Sequence, residues 1–371
     1  MELDALLRIM VQKKASDLHL RAGSRPIVRI HEELTPLEEI GILTSSEVEN
    51  LAFSVMTKEQ KKIYQEELEL DIGHSVSDVG RFRLNIFQQR GTIDIVLRMI
   101  PFDIPNFEDL HLPPVLATLA DQPRGLVLVT GTTGSGKSTT LAAMIDYINS
   151  NKKTHIITVE DPIEFLHKDK MSIISQRELG CDTKSFSTAL KYIMRQDPDV
   201  ILIGEMRDLE TMGAALTAAQ LGHLVLSTLH TIDAISTVTR IIDMFPPHQQ
   251  NQVRFQLSDT LKGVVSQRLL PLTAGDGLIP AVEVMVVTPY IRKLIAENKL
   301  SEASKAIQQG DYYGMQTFNQ SLVNLYKSGK VTLDDAKESA TSPEEFMLNV
   351  KGVYAGEDST MNFENDKGKQ K

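Results

Sequence analysis

The first hundred residues alternate between helical and strand-like patterns of apolar and polar positions. Apolar side chains recur at helical spacing near the start, and strict alternation then marks half-buried strands, the first two of which are joined by a turn at Gly23-Ser24. The pattern predicts a small α+β domain at residues 1–100. Its predicted elements are a helix at 3–11 and strands at 17–21, 26–30, 80–87 and 92–100.

Continuous apolar runs replace this alternation from residue 125 onward. Strands without a polar face are typical of a parallel sheet covered by helices on both sides, and helical segments separate the runs. We therefore predict an α/β domain with a central, mostly parallel sheet at residues 114–288, followed by helices at 289–354. The apolar runs lie at 127–130, 155–159, 200–203 and 224–227.

Two further segments complete the predicted organisation of the chain. Residues 101–113 form a linker, because prolines punctuate this stretch and neither periodicity continues through it. Residues 355–371 are predicted to be disordered, because this polar stretch offers few apolar side chains to bury.

The composition narrows the classes of function. The 371 residues carry a formal net charge of −10, include no tryptophan and are only 5% aromatic, so a basic or stacking surface for nucleic acid is not expected. The single cysteine, Cys181, cannot form an internal disulfide or a cysteine-rich zinc site. The acidic first residues fit no signal sequence, and no apolar run approaches ~20 residues, so we expect a cytosolic protein that does not span a membrane.

A glycine-rich stretch directly after the first apolar run carries the strongest chemical signal. It follows a predicted buried strand and opens a predicted helix, which is the setting of a phosphate-binding loop and disfavours a glycine turn without a ligand. Backbone N–H groups of such a loop surround phosphate oxygens, while Lys137 would reach the β- and γ-phosphates of ATP and Ser138 would hold Mg²⁺. The candidate ATP-binding residues are Gly131, Thr132, Thr133, Gly134, Ser135, Gly136, Lys137, Ser138 and Thr139.

Two of the apolar strands end in acidic residues. One is followed by Glu205, which would hold Mg²⁺ through water or polarise the attacking water. The other is followed by Glu160 and Glu164, on either side of Pro162. Carboxylates at a sheet edge suit water activation or metal binding, but a capped turn around Pro162 explains the same residues equally well.

Histidines and arginines are weaker candidates. His223 and His230 flank a predicted strand, and both a γ-phosphate sensor and a hydrogen-bonded core position fit an isolated histidine. Arginines matter because one subunit can supply an arginine to the phosphates held by another, although a solvated surface role is more common. The candidate arginines are Arg81, Arg83, Arg98, Arg195, Arg207 and Arg240.

Together these motifs resemble those of the hexameric ATPases of type II secretion and type IV pili, and among them the retraction ATPases of twitching motility. The resemblance covers roughly residues 1–350. Beyond the phosphate-binding loop, the matching stretches are 16–20, 80–83, the Asp box at 158–165, the Walker B strand at 199–208, the His box at 222–230, and 256–271.

The resemblance implies a PAS-like N-terminal domain, a RecA-like ATPase domain and a homohexameric ring with ATP bound between the two domains. It also implies catalytic roles for one set of residues and nucleotide contacts for another: Glu205, Glu160, Glu164, His223 and His230 in the first set, and Arg81, Arg83 and Arg98 in the second.

Two features favour retraction over extension or secretion. Extension and secretion ATPases usually carry a tetracysteine zinc module and a longer N-terminal region, and this chain shows neither. Retraction ATPases carry a segment reading Ala-Ile-Arg-Asn-Leu-Ile, which residues 290–295 match except at Tyr290 and Lys293. In the N-terminal domain, Glu32-Glu33 stands where many relatives have an Asp-Gly turn, so we expect a differently built hairpin. These departures leave room for a specialised paralogue.

The resulting hypothesis is an ATP-driven homohexamer that removes pilin subunits at the cytoplasmic, inner-membrane base of a pilus. The expected partners are an inner-membrane platform protein and, for a specialised paralogue, the primary retraction ATPase. Contact with the membrane itself would be indirect, since the acidic chain has no polybasic anchor. The alternatives are a pilus-extension or type II secretion ATPase, a low-turnover accessory ATPase, and a nucleic-acid translocase, which the net acidity disfavours.

Overall fold

The computed structural model describes residues 2–100, 103–275 and 277–353. Residues 101 and 102 of the predicted linker and the predicted disordered tail at 355–371 lie outside this part of the chain. Contacts divide the chain into two compact units. The first unit comprises residues 1–106, 120–126 and 138–228, and the second comprises residues 107–119, 127–137 and 229–371. The predicted domain boundaries stay predictions.

Helices and strands are numbered along the chain. The helices are α1 Leu3–Gln12, α2 Ser45–Ser54, α3 Lys58–Glu67, α4 Val115–Ala120, α5 Lys137–Asn151, α6 Phe186–Ile193, α7 Leu209–Gln220, α8 Ala234–Asp243, α9 Pro247–Thr260, α10 Pro289–Ala296, α11 Ala303–Gln308, α12 Phe318–Lys327, α13 Leu333–Glu338 and α14 Pro343–Val350. The strands are β1 Asp17–Arg21, β2 Ile27–Ile30, β3 Glu33–Pro36, β4 Glu69–Val76, β5 Gly80–Gln89, β6 Thr92–Ile100, β7 Gly125–Thr130, β8 His155–Glu160, β9 Ile173–Glu178, β10 Val200–Ile203, β11 Leu224–Leu229, β12 Leu261–Pro271 and β13 Leu278–Val286.

The N-terminal part of the first unit is an antiparallel sheet packed against helices. Its strand order is β3-β2-β1-β6-β5-β4, and the inward side chains of every strand except the exposed β3 share one apolar core with α1 and α2. On β5, for example, Phe82 and Leu84 are fully buried while Arg83 between them is exposed. The predicted helix and four strands are confirmed, and the structure adds β3, β4, α2 and α3. Both added helices begin at a capping box, with Thr44 and Thr57 as the N-caps.

The hairpin between β2 and β3 turns through two residues in the left-handed backbone region. His31 has a φ of 47° and Glu32 a φ of 69°, and Ile30 pairs with Glu33 on either side of them. Such a turn matches the twist of its strands and favours Asn-Gly, because a side chain crowds the left-handed backbone. Neither residue is glycine here, so the left-handed conformation costs roughly 1–2 kcal/mol of strain at each of the two positions.

The remainder of the first unit contains parallel strands in the order β9-β8-β10-β11. β8, β10 and β11 coincide with three predicted apolar runs, and nearly all of their residues are buried. Burial on both faces explains why each reads as a continuous apolar run. The sequence pattern does not predict β9, because its last four residues, Ser175–Glu178, are all polar.

The second unit contains strands in the order β13-β12-β7 and most of the C-terminal helices. β12 and β13 form a long antiparallel pair, which the predicted, mostly parallel sheet did not include. Phe318 of α12 and Phe346 of α14 are fully buried and share an apolar core with Leu270 and Ile279 of this pair. Helices α10–α14 lie in the region that the sequence predicts to be helical from residue 289 onward.

The strained hairpin generates a first prediction. Replacing Glu32 by glycine relieves the left-handed strain, so we expect the free energy of unfolding to rise by about 0.5–1 kcal/mol. The matched control is Glu33→Gly, because Glu33 is extended in β3 and glycine there only adds flexibility to the unfolded chain. Denaturation midpoints of the whole protein should therefore move in opposite directions for the two variants. A shift of both midpoints in the same direction would contradict this account of the hairpin.

Candidate functional site

The glycine-rich loop after β7 is tightly curled. Gly131 has a φ of 143°, and a side chain there would lie 2.5 Å from the carbonyl oxygen of Gln267 and from the Ser135 hydroxyl. Only glycine fits such a close approach. The ammonium group of Lys137 donates to the carbonyl oxygens of Gly131 and Thr132 at 2.9 and 2.8 Å. The lysine side chain therefore reaches back to the start of the loop and holds it in a curled conformation.

The same loop fits a ligand that carries phosphate groups. The hydroxyl of Ser135 is buried, and within the described residues it has no hydrogen-bond partner, so it is available to an oxygen of a ligand. Ser138 and Thr139 lie in the first turn of α5, and the N-terminal end of a helix attracts anions. The predicted ATP-binding residues thus form one continuous loop and helix start, while their individual contacts with ATP stay predictions.

The carboxyl ends of β8 and β10 lie side by side in the first unit. Val159 is opposite Ile203, so Glu160 and Glu205 leave the sheet at the same edge. Gly204 packs closely against the end of β8, since a side chain at this position would come within 3.3 Å of the Cα atom of Glu160. Both predicted acidic strand ends therefore meet at one edge, which is where open α/β sheets bind their ligands.

Three hydrogen-bond donors hold the Glu160 carboxylate. Thr158 donates through Oγ1 at 2.6 Å, Gln176 donates through Nε2 at 3.2 Å, and the backbone amide of Glu164 donates as well. Burial nevertheless raises the pKa of Glu160, and the negative charge of Glu164 adds to the rise. A carboxyl group with a raised pKa takes up a proton more readily than an ordinary one, which suits general acid–base work.

Glu205 is paired with an arginine. Its carboxylate lies 2.8 Å from the Arg207 guanidinium, and Arg207 also lies 3.8 Å from Asp161. The side chain of Arg207 is 62% exposed, so water screens these pairs and they contribute little to stability. Arg207 therefore links the two acidic strand ends and orients Glu205. The sequence offered Arg207 only as one of six candidate arginines.

The loop that follows Glu160 is fastened by Gln176 of β9. Gln176 donates to the carbonyl oxygen of Phe165 and accepts from the backbone amide of His167, both at 2.9 Å. The His167 ring is largely buried, its Nδ1 has no partner in the described part of the chain, and burial lowers its pKa to about 4. Sequence reasoning missed Gln176 and His167 because it did not predict β9.

The two predicted histidines lie at opposite ends of β11. His223 precedes the strand, where its amide donates to Ala218 and its carbonyl oxygen accepts from Gly125. Because β10 and β11 are parallel, His223 lies at the amino edge of the sheet and Glu205 at the carboxyl edge. His230 directly follows the strand and is exposed. Catalytic roles for these histidines stay predictions, and the position of His223 gives its role no support.

The predicted arginines of the N-terminal sheet are each paired with an acid of the first unit. The pairs are Arg81–Glu178 at 2.7 Å, Arg83–Asp71 at 2.9 Å and Arg98–Asp17 at 2.8 Å. Asp71 raises the pKa of Arg83, and the charges of Glu164 and Asp161 add to the rise. The negative charges of the loop at residues 160–164 therefore act on Arg83. Nucleotide contacts of all three arginines stay predictions.

Two kinds of feature are absent from the described ranges. No group of three or more His, Cys, Asp and Glu side chains there could hold a metal ion. Ser138 and Glu205 stay the predicted ligands of Mg²⁺, an ion that at phosphate-transfer sites takes one or two protein ligands beside phosphate and water oxygens. Nor does any helix of the described part have the length and apolar character needed to cross a membrane.

Comparison with known proteins decides the family. The model of the family described as "Type II/IV secretion system protein" matches residues 2–338. This chain belongs to that family. All of the motifs that carried the resemblance, from residues 16–20 to 256–271, lie inside the matched part.

Individual members of the family are similar over nearly the whole chain. The type IV pilus retraction ATPase PilT of Pseudomonas aeruginosa is 45% identical over 346 residues, which cover 93% of this chain and 100% of that protein. The type IV pilus ATPase PilU of the same organism is 42% identical over 351 residues, 95% of this chain and 92% of PilU. A crystal structure of the pilus retraction motor PilT with bound ADP is 48% identical, with a TM-score of 0.85 over 93% of this chain and 98% of that chain. The predicted resemblance and α/β fold are thereby confirmed.

The buried His167 generates a second prediction. Its folded pKa of about 4 lies below the usual 6.5, so between these values the unfolded chain binds a proton that the folded protein rejects. The free energy of unfolding should therefore fall as the pH drops from 6.5 to 4, by about 3 kcal/mol from this residue. His167→Gln should flatten this part of the pH profile, measured by urea unfolding.

His248→Gln is the matched control, since it removes an exposed histidine. It should leave the pH profile of unfolding as it is in the parent protein. Equal pH profiles for His167→Gln and the parent protein would contradict the assignment.

Proposed function

We propose that this protein is an ATP-hydrolysing motor that powers type IV pilus retraction, the disassembly of pili that drives twitching motility. One observation carries the proposal: 45% identity to a pilus retraction ATPase over 93% of this chain and the full length of that relative. The curled phosphate-binding loop and the paired acidic strand ends support it, because they supply the parts that ATP hydrolysis requires.

Each part of the chemistry has a residue to perform it. The loop amides of residues 131–136 and Lys137 would bind the phosphates, and Ser138, with Glu205 through water, would hold Mg²⁺. Bound ATP supplies the phosphoryl group and the free energy. Glu205, oriented by Arg207, would position and polarise the attacking water, and Glu160 would exchange a proton with it. In this scheme Glu164 assists Glu160, because the backbone amide of Glu164 donates a hydrogen bond to the Glu160 carboxylate.

The mechanical part of the proposal concerns an assembly. A homohexameric ring would bind ATP between the N-terminal and ATPase domains, and Arg81, Arg83 and Arg98 would contribute to nucleotide binding. Closure and reopening of this gap, in turn around the ring, would move an inner-membrane platform protein at the cytoplasmic base of the pilus. His223 and His230 are the further active-site candidates, of which His230 has the more favourable position, at the carboxyl end of its strand.

A second candidate function is that of an accessory ATPase that binds the primary retraction motor and has little turnover of its own. The observation that favours it is the 42% identity to PilU over 95% of this chain, nearly as high as that to PilT. The departures at Tyr290 and Lys293 also fit a paralogue. A motor for extension or type II secretion is a third candidate, which the single cysteine of the chain disfavours.

The active-site assignment predicts the effect of two substitutions. Lys137→Ala should lower ATP turnover at least ~100-fold and weaken nucleotide binding, because it removes the phosphate-binding ammonium group. Glu205→Gln should lower turnover to a similar extent but keep nucleotide binding, because the carboxylate that polarises water is lost while the loop amides, Lys137 and Ser138 still hold the phosphates and Mg²⁺. The measurement is phosphate release with Mg²⁺ and with a chelator, which should abolish it. Lys153→Ala and Glu210→Gln, at exposed positions, are the matched controls. Near-normal turnover in both site variants would contradict the active-site roles assigned to Lys137 and Glu205.

Deletion of the gene should separate the three candidates. A primary retraction motor predicts cells with extra surface pili and no twitching, and Lys137→Ala should fail to restore movement. Cells without pili would instead indicate an extension motor. The accessory role predicts a purified protein that binds ATP without turnover until the primary motor is added.

A further inference from the structure

The side chain of Glu178, at the end of β9, is almost completely buried, with 2% of its surface exposed. A carboxylate in such a place needs donors for its oxygens. Glu178 has them on both oxygens, and they come from separate parts of the chain. The donors are the Arg81 guanidinium at 2.7 Å, the Gly73 amide at 3.0 Å, the Ile163 amide at 3.1 Å and the Cys181 thiol at 3.5 Å.

These donors connect two structures that are far apart in sequence. Gly73 lies in β4 and Arg81 in β5, which are paired strands of the N-terminal sheet. Ile163 lies in the acidic loop, residues 160–164, and the next amide in the chain, that of Glu164, donates to Glu160. Two successive amides of the loop are thus bound by two carboxylates, and one of these carboxylates is anchored to the N-terminal sheet.

Gly73 shows how closely the parts fit. A side chain on Gly73 would collide with the Arg81 guanidinium and come within 2.6 Å of the Glu178 carboxylate. The position therefore requires glycine for space, since any side chain would push the ion pair apart. The pair itself is well shielded from water, with Arg81 only 15% exposed, so breaking it leaves a charge without compensation.

We propose that Glu178 is a positioning residue through which the N-terminal sheet sets the place of the acidic loop 160–164. Arg81 of the sheet and the Ile163 amide of the loop both donate to Oε2 of Glu178, and the Gly73 amide of the sheet donates to Oε1, so one carboxylate binds the sheet and the loop together. A displacement of β4 and β5 is transmitted to Glu160 and Glu164 by this route. The effect of Glu178 on ATP turnover rests on the proposed function, whereas its hold on the loop does not.

The first test is hydrogen exchange of the loop in the whole protein. In Glu178→Gln the charge is lost and an NH₂ group faces the amide donors, so the segment 159–166 should exchange at least about tenfold faster than in the parent protein. Asp4→Asn is the matched control, because it removes an exposed acid that bonds to His74 of the same strand β4. It should leave exchange in 159–166 unchanged. Parent-like exchange in Glu178→Gln would overturn the proposal.

Steric displacement provides a variant that keeps Glu178 itself. Gly73→Ala pushes the ion pair apart and should loosen the same segment, which preserves the test if Glu178→Gln fails to fold. Gly41→Ala is its control, since no atom lies within 4 Å of the added carbon there. Faster exchange of 159–166 in both variants would contradict the proposed connection. So would parent-like exchange in both.

Kinetics separate positioning from plain stability. If Glu178 acts through the loop, Glu178→Gln should lower kcat about tenfold and leave KM for ATP within about twofold, because misplaced groups slow the reaction rather than binding. The double variant Arg81→Met/Glu178→Gln removes the buried charges together, so its melting temperature should recover while its kcat stays below that of Arg81→Met alone, the reference that accounts for any contact of Arg81 with the nucleotide. Recovery of kcat together with the melting temperature would reduce Glu178 to a structural role.

Cys181 gives an independent readout. It is the single cysteine of the chain. The pKa of its thiol is raised mainly by burial and, to a smaller extent, by the negative charge of Glu178. Glu178→Gln removes that charge, so alkylation of Cys181 near neutral pH should become several-fold faster. Unchanged alkylation would mean that Glu178 does not hold the thiol as described. If Lys137→Ala kept full turnover while both the exchange and the alkylation results held, the proposed function would fail and the positioning inference would stand.

Discussion

Parallel pairing of β8 with β10 is the constraint on which the acidic part of the candidate site depends. The register that sets Val159 opposite Ile203 brings Glu160 and Glu205 out of the sheet at one edge. A slip of one residue would turn every side chain of a strand to the other face. Both strands are buried in the sheet, so the apolar core that surrounds them also fixes the carboxylates.

Neighbouring carboxylates acquire different properties at this edge. Glu160 is enclosed and its pKa is raised by burial, whereas Glu205 is paired with an exposed arginine. Pairs of acids in unlike surroundings commonly divide the work of proton exchange and charge stabilisation. Here the division follows from the loop after β8, which folds over Glu160 and is tied down by Gln176.

What the sequence could predict follows from how local each feature is. The phosphate-binding loop is one continuous stretch whose glycines, lysine and flanking periodicities are visible together, and the apolar runs mark β8, β10 and β11 just as directly. β9 cannot be recognised in the sequence because its last four residues are polar, although its Gln176 holds the acidic loop. The ion pair of Arg81 with Glu178 joins residues 97 positions apart, and no pattern in a single sequence encodes such a distance. The hairpin at His31-Glu32 departs from the usual turn chemistry, so only the backbone angles reveal it.

The interleaving of the two compact units along the chain has a consequence for how the protein is made. Each unit is assembled from three separate segments, so neither can be completed as the ribosome finishes a contiguous stretch. In the second unit, Thr130 of β7 bonds to Ser266 of β12, which is synthesised 136 residues later. The edge of β7 that pairs with β12 therefore stays without its partner strand until most of the chain has emerged. Such long-range pairing forms slowly, so unpaired strand edges stay open to aggregation for longer in the nascent chain than in a protein built from contiguous units.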